Sequence, residues 1–110
     1  MIEAEKFYKI RDIKKEKLIT NAQKMSEYLF KRLRGLKEKY SMIKEVRGLG
    51  LMAGIELNIA GKIIVDKCLV KGLLINCTHE RVLRLMPALN ITKKEVDKAL
   101  EILESVIKES

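Results

Sequence analysis

Tryptophan is absent from this sequence, proline and histidine occur once each, cysteine occurs twice, and aromatic residues make up only 5%. A core without tryptophan must be assembled from Leu, Ile, Val and Met. Two cysteines, Cys68 and Cys77, without a repeated spacing do not make a disulfide framework, which points to a reducing, cytoplasmic setting. No apolar run approaches the roughly 20 residues that a membrane span requires, and the N-terminal "MIEAEKFYKIRDIKKEK" lacks the apolar stretch of a signal peptide. One histidine, no paired carboxylates, no serine in a nucleophile elbow and no zinc-ligand spacing leave little for acid–base, covalent or metal chemistry. Cys77 and His79 lie close in sequence, but a thiol nucleophile needs a base placed in space and a metal needs at least one more ligand.

What is present is apolar and charged in ordinary proportion. With 110 residues, 47% hydrophobic and 35% charged, the chain has the make-up of one folded domain with one modest core. The net charge of +8 raises the question of nucleic acid, so its distribution matters. Residues 1 to 55 carry 14 Lys and Arg against 7 acids, and residues 56 to 110 carry 9 against 8. The N-terminal lysines alternate with glutamate, as in "KKEK" and "KEKY", which is the pattern of a solvated helix face laced with ion pairs. No aromatic-glycine RNA-binding motif and no helix-turn-helix spacing accompanies them, which speaks against a nucleic-acid module. A Glu- and Lys-rich, Gln-poor surface is also common in thermophile proteins.

Periodicity sets the order of elements. From about Lys14 to Tyr40, Leu18, Ala22, Met25, Leu29, Leu33, Leu36 and Tyr40 recur at spacings of four and three, which predicts one long amphipathic helix. Gly35 predicts a bend or fraying near its end. The period then falls to two. "MIKEVRGLGLMAGIELN" reads as a strand over Ile43 to Arg47, a turn at Gly48 and Gly50, and a strand over Leu51 to Leu57. Leu51, Ala53, Ile55 and Leu57 share one face, with Met52, Gly54 and Glu56 on the other. Gly54 in mid-strand implies either a bulge or a close approach of other backbone. "AGKIIVDKCLVKG" predicts a short helix with Ile64, Val65, Cys68 and Leu69 inward and Gly72 as its left-handed cap. "LLINC" predicts a strand, "THER" a turn and "VLRLM" a strand. Thr92 and Glu95 form a capping box for a last helix with Val96, Ala99, Leu100, Leu103, Val106 and Ile107 inward. The fold class is therefore α/β, an α+β sandwich in which helices lie on one small, largely antiparallel sheet of about four strands.

Among the charged residues, Asp66, Glu80 and Asp97 read as surface, and Arg84 does not. In "RVLRLMPALN" the alternation puts Val82, Arg84 and Met86 on one face and Leu83 and Leu85 on the other, so a guanidinium leaves from an otherwise apolar face. Desolvated there, it needs a partner, and its planar fork of donors matches a carboxylate. An exposed edge, or a structural salt bridge to Glu56, is the plainer explanation.

The motifs "VRGLGLMAGIEL", "VKGLLINCTHERVLRLMPAL" and "ITKKEVDKALEILESVI" resemble, in order and spacing, the C-terminal small domain of class-III pyridoxal-phosphate aminotransferases of the acetylornithine and ornithine type. The resemblance covers about residues 14 to 107, so that 14–110 is the domain and 1–13 a poorly matching N-terminal segment. It implies that Arg84 binds the α-carboxylate of the amino-acid substrate. Thr78 and His79 match a Thr-His pair of the ornithine branch, where the family more often has glycines, and Ala88 stands where a second proline is frequent.

The same resemblance implies a cofactor, pyridoxal phosphate, whose Schiff-base lysine, phosphate-binding groups and ring-nitrogen aspartate belong to a preceding large domain. No catalytic, cofactor-binding or metal-ligating residue is then expected in this chain, which alone would be inactive and bind no cofactor: a fragment, a split gene product or a relic. Its expected partner is that large domain. The rival readings are a stand-alone unit that self-associates through the surface the large domain would cover, and a basic module for nucleic acid.

Overall fold

The computed structural model describes residues 15–49 and 52–110. Its elements are helix α1 (Lys15–Lys39), strands β1 (Ile43–Leu49) and β2 (Met52–Leu57), helix α2 (Lys62–Val70), strands β3 (Asn76–Thr78) and β4 (Val82–Leu85), and helix α3 (Lys93–Glu109). The strands form one sheet in the order β1-β2-β4-β3, and every neighbouring pair is antiparallel. Three helices pack on it, as the alternation of apolar periods predicts. No helix among the described residues is long and apolar enough to cross a membrane.

The sheet is buried on one face only. Ala53, Ile55 and Leu57 of β2 and Leu83 of β4 are at 0% exposure, with Leu85 at 6%. Leu29, Leu33 and Leu36 of α1, Ile64 and Cys68 of α2, and Val96, Leu100, Leu103 and Val106 of α3 complete the core against them. Each such side chain contributes about 1.5–3 kcal/mol by leaving water. Burial also pushes the Cys68 thiol up from its ordinary value.

Several local expectations shift. The helix runs through Gly35 without interruption, and its predicted start at Lys14 lies outside the described residues, as do residues 1–13, Gly50 and Leu51. Gly48 is in β1, paired with Ala53, rather than in a turn. A Cβ there would collide with the Met52 carbonyl oxygen and sit 2.6 Å from Phe30 Cζ of α1, so the glycine is required by the close approach of the β2 backbone and leaves room for the helix side chain. A bulge between Ile43 and Glu45 turns Ile43 into the core while Glu45 and Arg47 both face outward, a reversal that plain alternation misses. Leu69 is 56% exposed instead of buried, because the nine-residue helix, packed on α3 and beside β3, buries only the narrow stripe of Ile64 and Cys68.

The β3 strand begins at Asn76, later than "LLINC" suggests. Leu73 is used instead to finish α2: its N–H donates to the Cys68 carbonyl (2.8 Å) and that of Gly72 to Leu69 (3.0 Å), with Gly72 at φ +94°, a Schellman cap. Thr78 thus belongs to the strand and not the turn, while Met86 lies beyond β4. At the other end of the chain, Thr92 and Glu95 close the predicted capping box of α3.

Polar ties join α1 to α3. Asp97 is half-buried rather than a free surface acid, accepting from the Tyr28 hydroxyl and from Arg32 (2.5 Å). Lys39 and Tyr40 both donate to Glu104 at 2.8 Å, and these bonds hold its carboxyl below the ordinary range. The stabilisation is therefore full above the unfolded carboxyl value of about 4.3 and is lost as the pH falls through the lower folded one. Urea denaturation from pH 3 to 7 should show wild type exceeding Glu104→Gln by a constant margin above about pH 5, shrinking below about pH 4. Curves parallel over the whole range would contradict this.

Candidate functional site

The outer face of the sheet, turned away from the helices, carries the candidate site. Antiparallel register aligns Arg47 (β1), Gly54 (β2), Arg84 (β4) and Asn76 (β3) in one row, and Glu45, Glu56, Val82 and Thr78 in the next. Residues paired across antiparallel strands point to the same side, so the two arginines stand on either side of a residue without a side chain. Above that row is an open depression of about 340 Å³, lined by Arg47, Met52, Gly54, Thr78, His79, Val82 and Arg84. The three residues singled out in the sequence, Arg84, Thr78 and His79, therefore meet on one surface. Arg47 and Gly54 join them unforeseen by sequence reasoning. The signal that finds them is the hairpin register, Leu49 opposite Met52, which by counting back puts residue 47 opposite 54.

The two guanidiniums differ in their partners. Arg47 donates to Glu45 at 2.8 Å and to Glu56 at 3.0 Å, and Lys44 also approaches Glu56, at 3.8 Å. Its charge is matched within the sheet. Arg84 is half-buried and donates to two thioethers, Met52 Sδ at 3.5 Å and Met86 Sδ at 4.0 Å. Among the described residues no carboxylate pairs with it. The salt bridge to Glu56 that the sequence allowed does not form, because the cations of β1 occupy that acid. Thioether sulfur is a weak acceptor, so five donors and a full positive charge remain poorly matched in a partly desolvated place. Such a group favours an anion with two adjacent oxygens, of which a carboxylate is the simplest.

Thr78 and His79 reach the depression through a strained turn. His79 has φ +50° and Glu80 φ +64°, left-handed values that cost a residue with a Cβ about 1 kcal/mol or more. The turn is clamped from outside: Leu57 N–H donates to the Arg81 carbonyl (2.8 Å), Gly61 N–H to that of Glu80 (2.7 Å), and the Arg81 guanidinium to that of Asn58 (3.0 Å). The loop between β2 and α2 thereby fixes where the β3–β4 connection stands. No third ligand joins Cys77 and His79: among the described residues, no group of three or more His, Cys, Asp or Glu side chains is placed to hold a metal.

Because the φ values at 79 and 80 suit glycine, His79→Gly should leave the free energy of unfolding in urea unchanged or raise it, by up to about 1 kcal/mol. A fall of more than about 1 kcal/mol would show that the imidazole itself supports the fold.

A family model described as Aminotransferase class-III matches residues 4–107. Acetylornithine aminotransferase of Methanocaldococcus jannaschii is 46% identical over 97 residues, which cover 88% of this chain and 23% of that protein. Among solved structures, an acetylornithine aminotransferase from Elizabethkingia anophelis superposes with a TM-score of 0.82 at 29% identity, covering 92% of this chain and 28% of that one. An ornithine aminotransferase from Plasmodium yoelii gives a TM-score of 0.80 at 31% identity, covering 86% of this chain and 26% of that one. The chain spans about a quarter of the length of the curated relatives it matches.

Proposed function

The chain belongs to the class-III aminotransferases, and on that premise we propose that it acts as the small domain, residues 14–110, of an acetylornithine-type enzyme, in which Arg84 holds the carboxylate of the amino-acid substrate. The observation that carries this reading is the half-buried Arg84 guanidinium with thioether partners and no carboxylate among the described residues, set in a depression open to a ligand.

The residues act by orientation. Two parallel N–H donors of Arg84 take the two carboxylate oxygens and so fix both the distance and the plane of the substrate's first carbon, converting a free encounter into a positioned one. Glu45 and Glu56 neutralise Arg47, which keeps the positive field of the depression centred on Arg84. Thr78 contributes a hydroxyl and His79 an imidazole at the rim, both on backbone held by the clamped turn.

Pyridoxal phosphate, the cofactor of the family, would supply the electron sink for amino-group transfer in the complete enzyme. The depression does not fit it. An aldehyde cofactor needs an amine to hold it and an acid opposite the ring nitrogen, and the described residues lining the depression include neither lysine nor carboxylate. In this reading the cofactor is held by a large domain, which is the partner for the outer face of the sheet. A second copy of the chain on that face is the competing occupant.

The test is a nuclear magnetic resonance titration of the 110-residue chain with acetate. Saturable shifts centred on the Arg84 Nε–H and the amides of Gly54 and Thr78 are expected, retained in part in Arg84→Lys and absent in Arg84→Gln. Charge-assisted bonds to a carboxylate are worth about 1.5–3 kcal/mol, so the glutamine variant should weaken binding at least about tenfold. Amide shifts that saturate in Arg84→Gln at the same acetate concentration as in wild type would contradict the assignment.

A further inference from the structure

Gly54 lies at the centre of the outer face, in a strand with neighbours on both sides, where glycine weakens a sheet by about 0.5–1 kcal/mol relative to a residue with a side chain. Two structural demands could justify it, and neither is present among the described residues. The register of β2 against β1 and β4 is regular through Gly54, the one irregularity lying at Ile43/Glu45. Nor is space short: a Cβ at this position would have Val82 Cγ1 at 3.6 Å and the Arg47 carbonyl oxygen at 3.7 Å as its nearest neighbours, both ordinary contacts. Its φ is outside the left-handed region, in contrast to Gly72. The fold has room for a Cβ here, and so for alanine.

What a side chain would take is the space over the depression. Gly54 is paired with Arg47 on one side and Arg84 on the other, so the two arginine backbones stand two strand spacings apart, about 10 Å, with nothing rising between them. A carboxylate seated on Arg84 has the rest of its molecule directed either back toward solvent or across this gap. The neutralised Arg47 closes the far side of the gap with its alkyl stem and its ion pairs to Glu45 and Glu56.

We infer that Gly54 is a specificity-determining residue: its missing side chain is the floor on which the chain behind the bound carboxylate lies, so that residue 54 sets how large a carboxylate Arg84 can hold. This rests on the reading of Arg84 as the carboxylate anchor. It predicts a separation between a probe that ends at the carboxylate and one that extends beyond it.

The experiment titrates the 110-residue chain, Gly54→Ala and Gly54→Val with acetate and with L-glutamate, following the Arg84 Nε–H, alongside thermal melts. Gly54→Ala should melt at or above the wild-type temperature, Gly54→Val should remain folded by its melt, and both should bind acetate within about twofold of wild type. L-Glutamate should be weakened several-fold by Gly54→Ala and about tenfold or more by Gly54→Val, as overfilling a close-fitting space does. Unchanged glutamate binding in a folded Gly54→Val chain would overturn the inference while leaving Arg84 as the anchor. Equal weakening of both probes with a lowered melt would overturn it too, by showing that the glycine serves the fold. Acetate that leaves the wild-type Arg84 signal unmoved would remove the anchor, and this inference with it.

Discussion

One-sided burial of the sheet is the constraint on which the remaining structure depends. Ala53, Ile55, Leu57, Leu83 and Leu85 are driven against the helices, and a strand's period of two then forces Gly54, Glu56, Val82 and Arg84 to the opposite face. A slip of one residue in the register of β4 against β2 would turn Leu83 and Leu85 into water and Arg84 toward the core. The hydrophobic effect that fixes the core therefore also fixes, without further expense, the row in which two arginines flank a glycine. Arg84 is half-buried because of where its neighbours must go.

The second layer of control lies in the segments that join the elements. The bulge after Ile43 brings Arg47 and Glu45 to the same side as Glu56, so the charge of Arg47 is matched within the sheet while Arg84 has no carboxylate partner among the described residues. The clamp from Leu57, Asn58 and Gly61 holds two left-handed residues at the rim of the depression. Strain held in place by surrounding hydrogen bonds, next to an unmatched charge, is the arrangement expected of a binding surface rather than of a sheet that only supports a core. The α1–α3 ties through Asp97 and Glu104 lie on other elements and serve stability.

How much of this could be seen in the sequence follows from range. The long helix, the capping box of Thr92 and Glu95, and the alternation of β2 and β4 are repeats within a few residues, and they are found in place except that Met86 lies beyond β4 and Leu51 outside the described residues. The outward position of Arg84 was legible for the same reason. Its freedom from Glu56 was not, since that depends on Arg47 and Lys44 reaching the acid first across a strand pair shifted by a bulge. Gly48 reads as a turn residue because glycine follows alternation; what requires it in the strand, the Met52 carbonyl oxygen and the Phe30 ring closing on the space a Cβ would take, depends on tertiary packing. Leu73 and Leu74 looked like strand because they are apolar; the helix cap that claims Leu73 is a matter of backbone hydrogen bonds that composition does not display.

The central claim is that this sheet presents Arg84 to a substrate carboxylate inside an aminotransferase. Its most direct test replaces the matching segment of the Methanocaldococcus jannaschii acetylornithine aminotransferase with this chain and measures kcat/KM for the amino-acid substrate. Glutamine keeps an amide donor but loses the charge assistance, worth about 1.5–3 kcal/mol, so Arg84→Gln should lower kcat/KM about 10- to 150-fold in an active chimera, with partial recovery in Arg84→Lys. An active, folded chimera whose kcat/KM is the same with glutamine at position 84 would contradict the account.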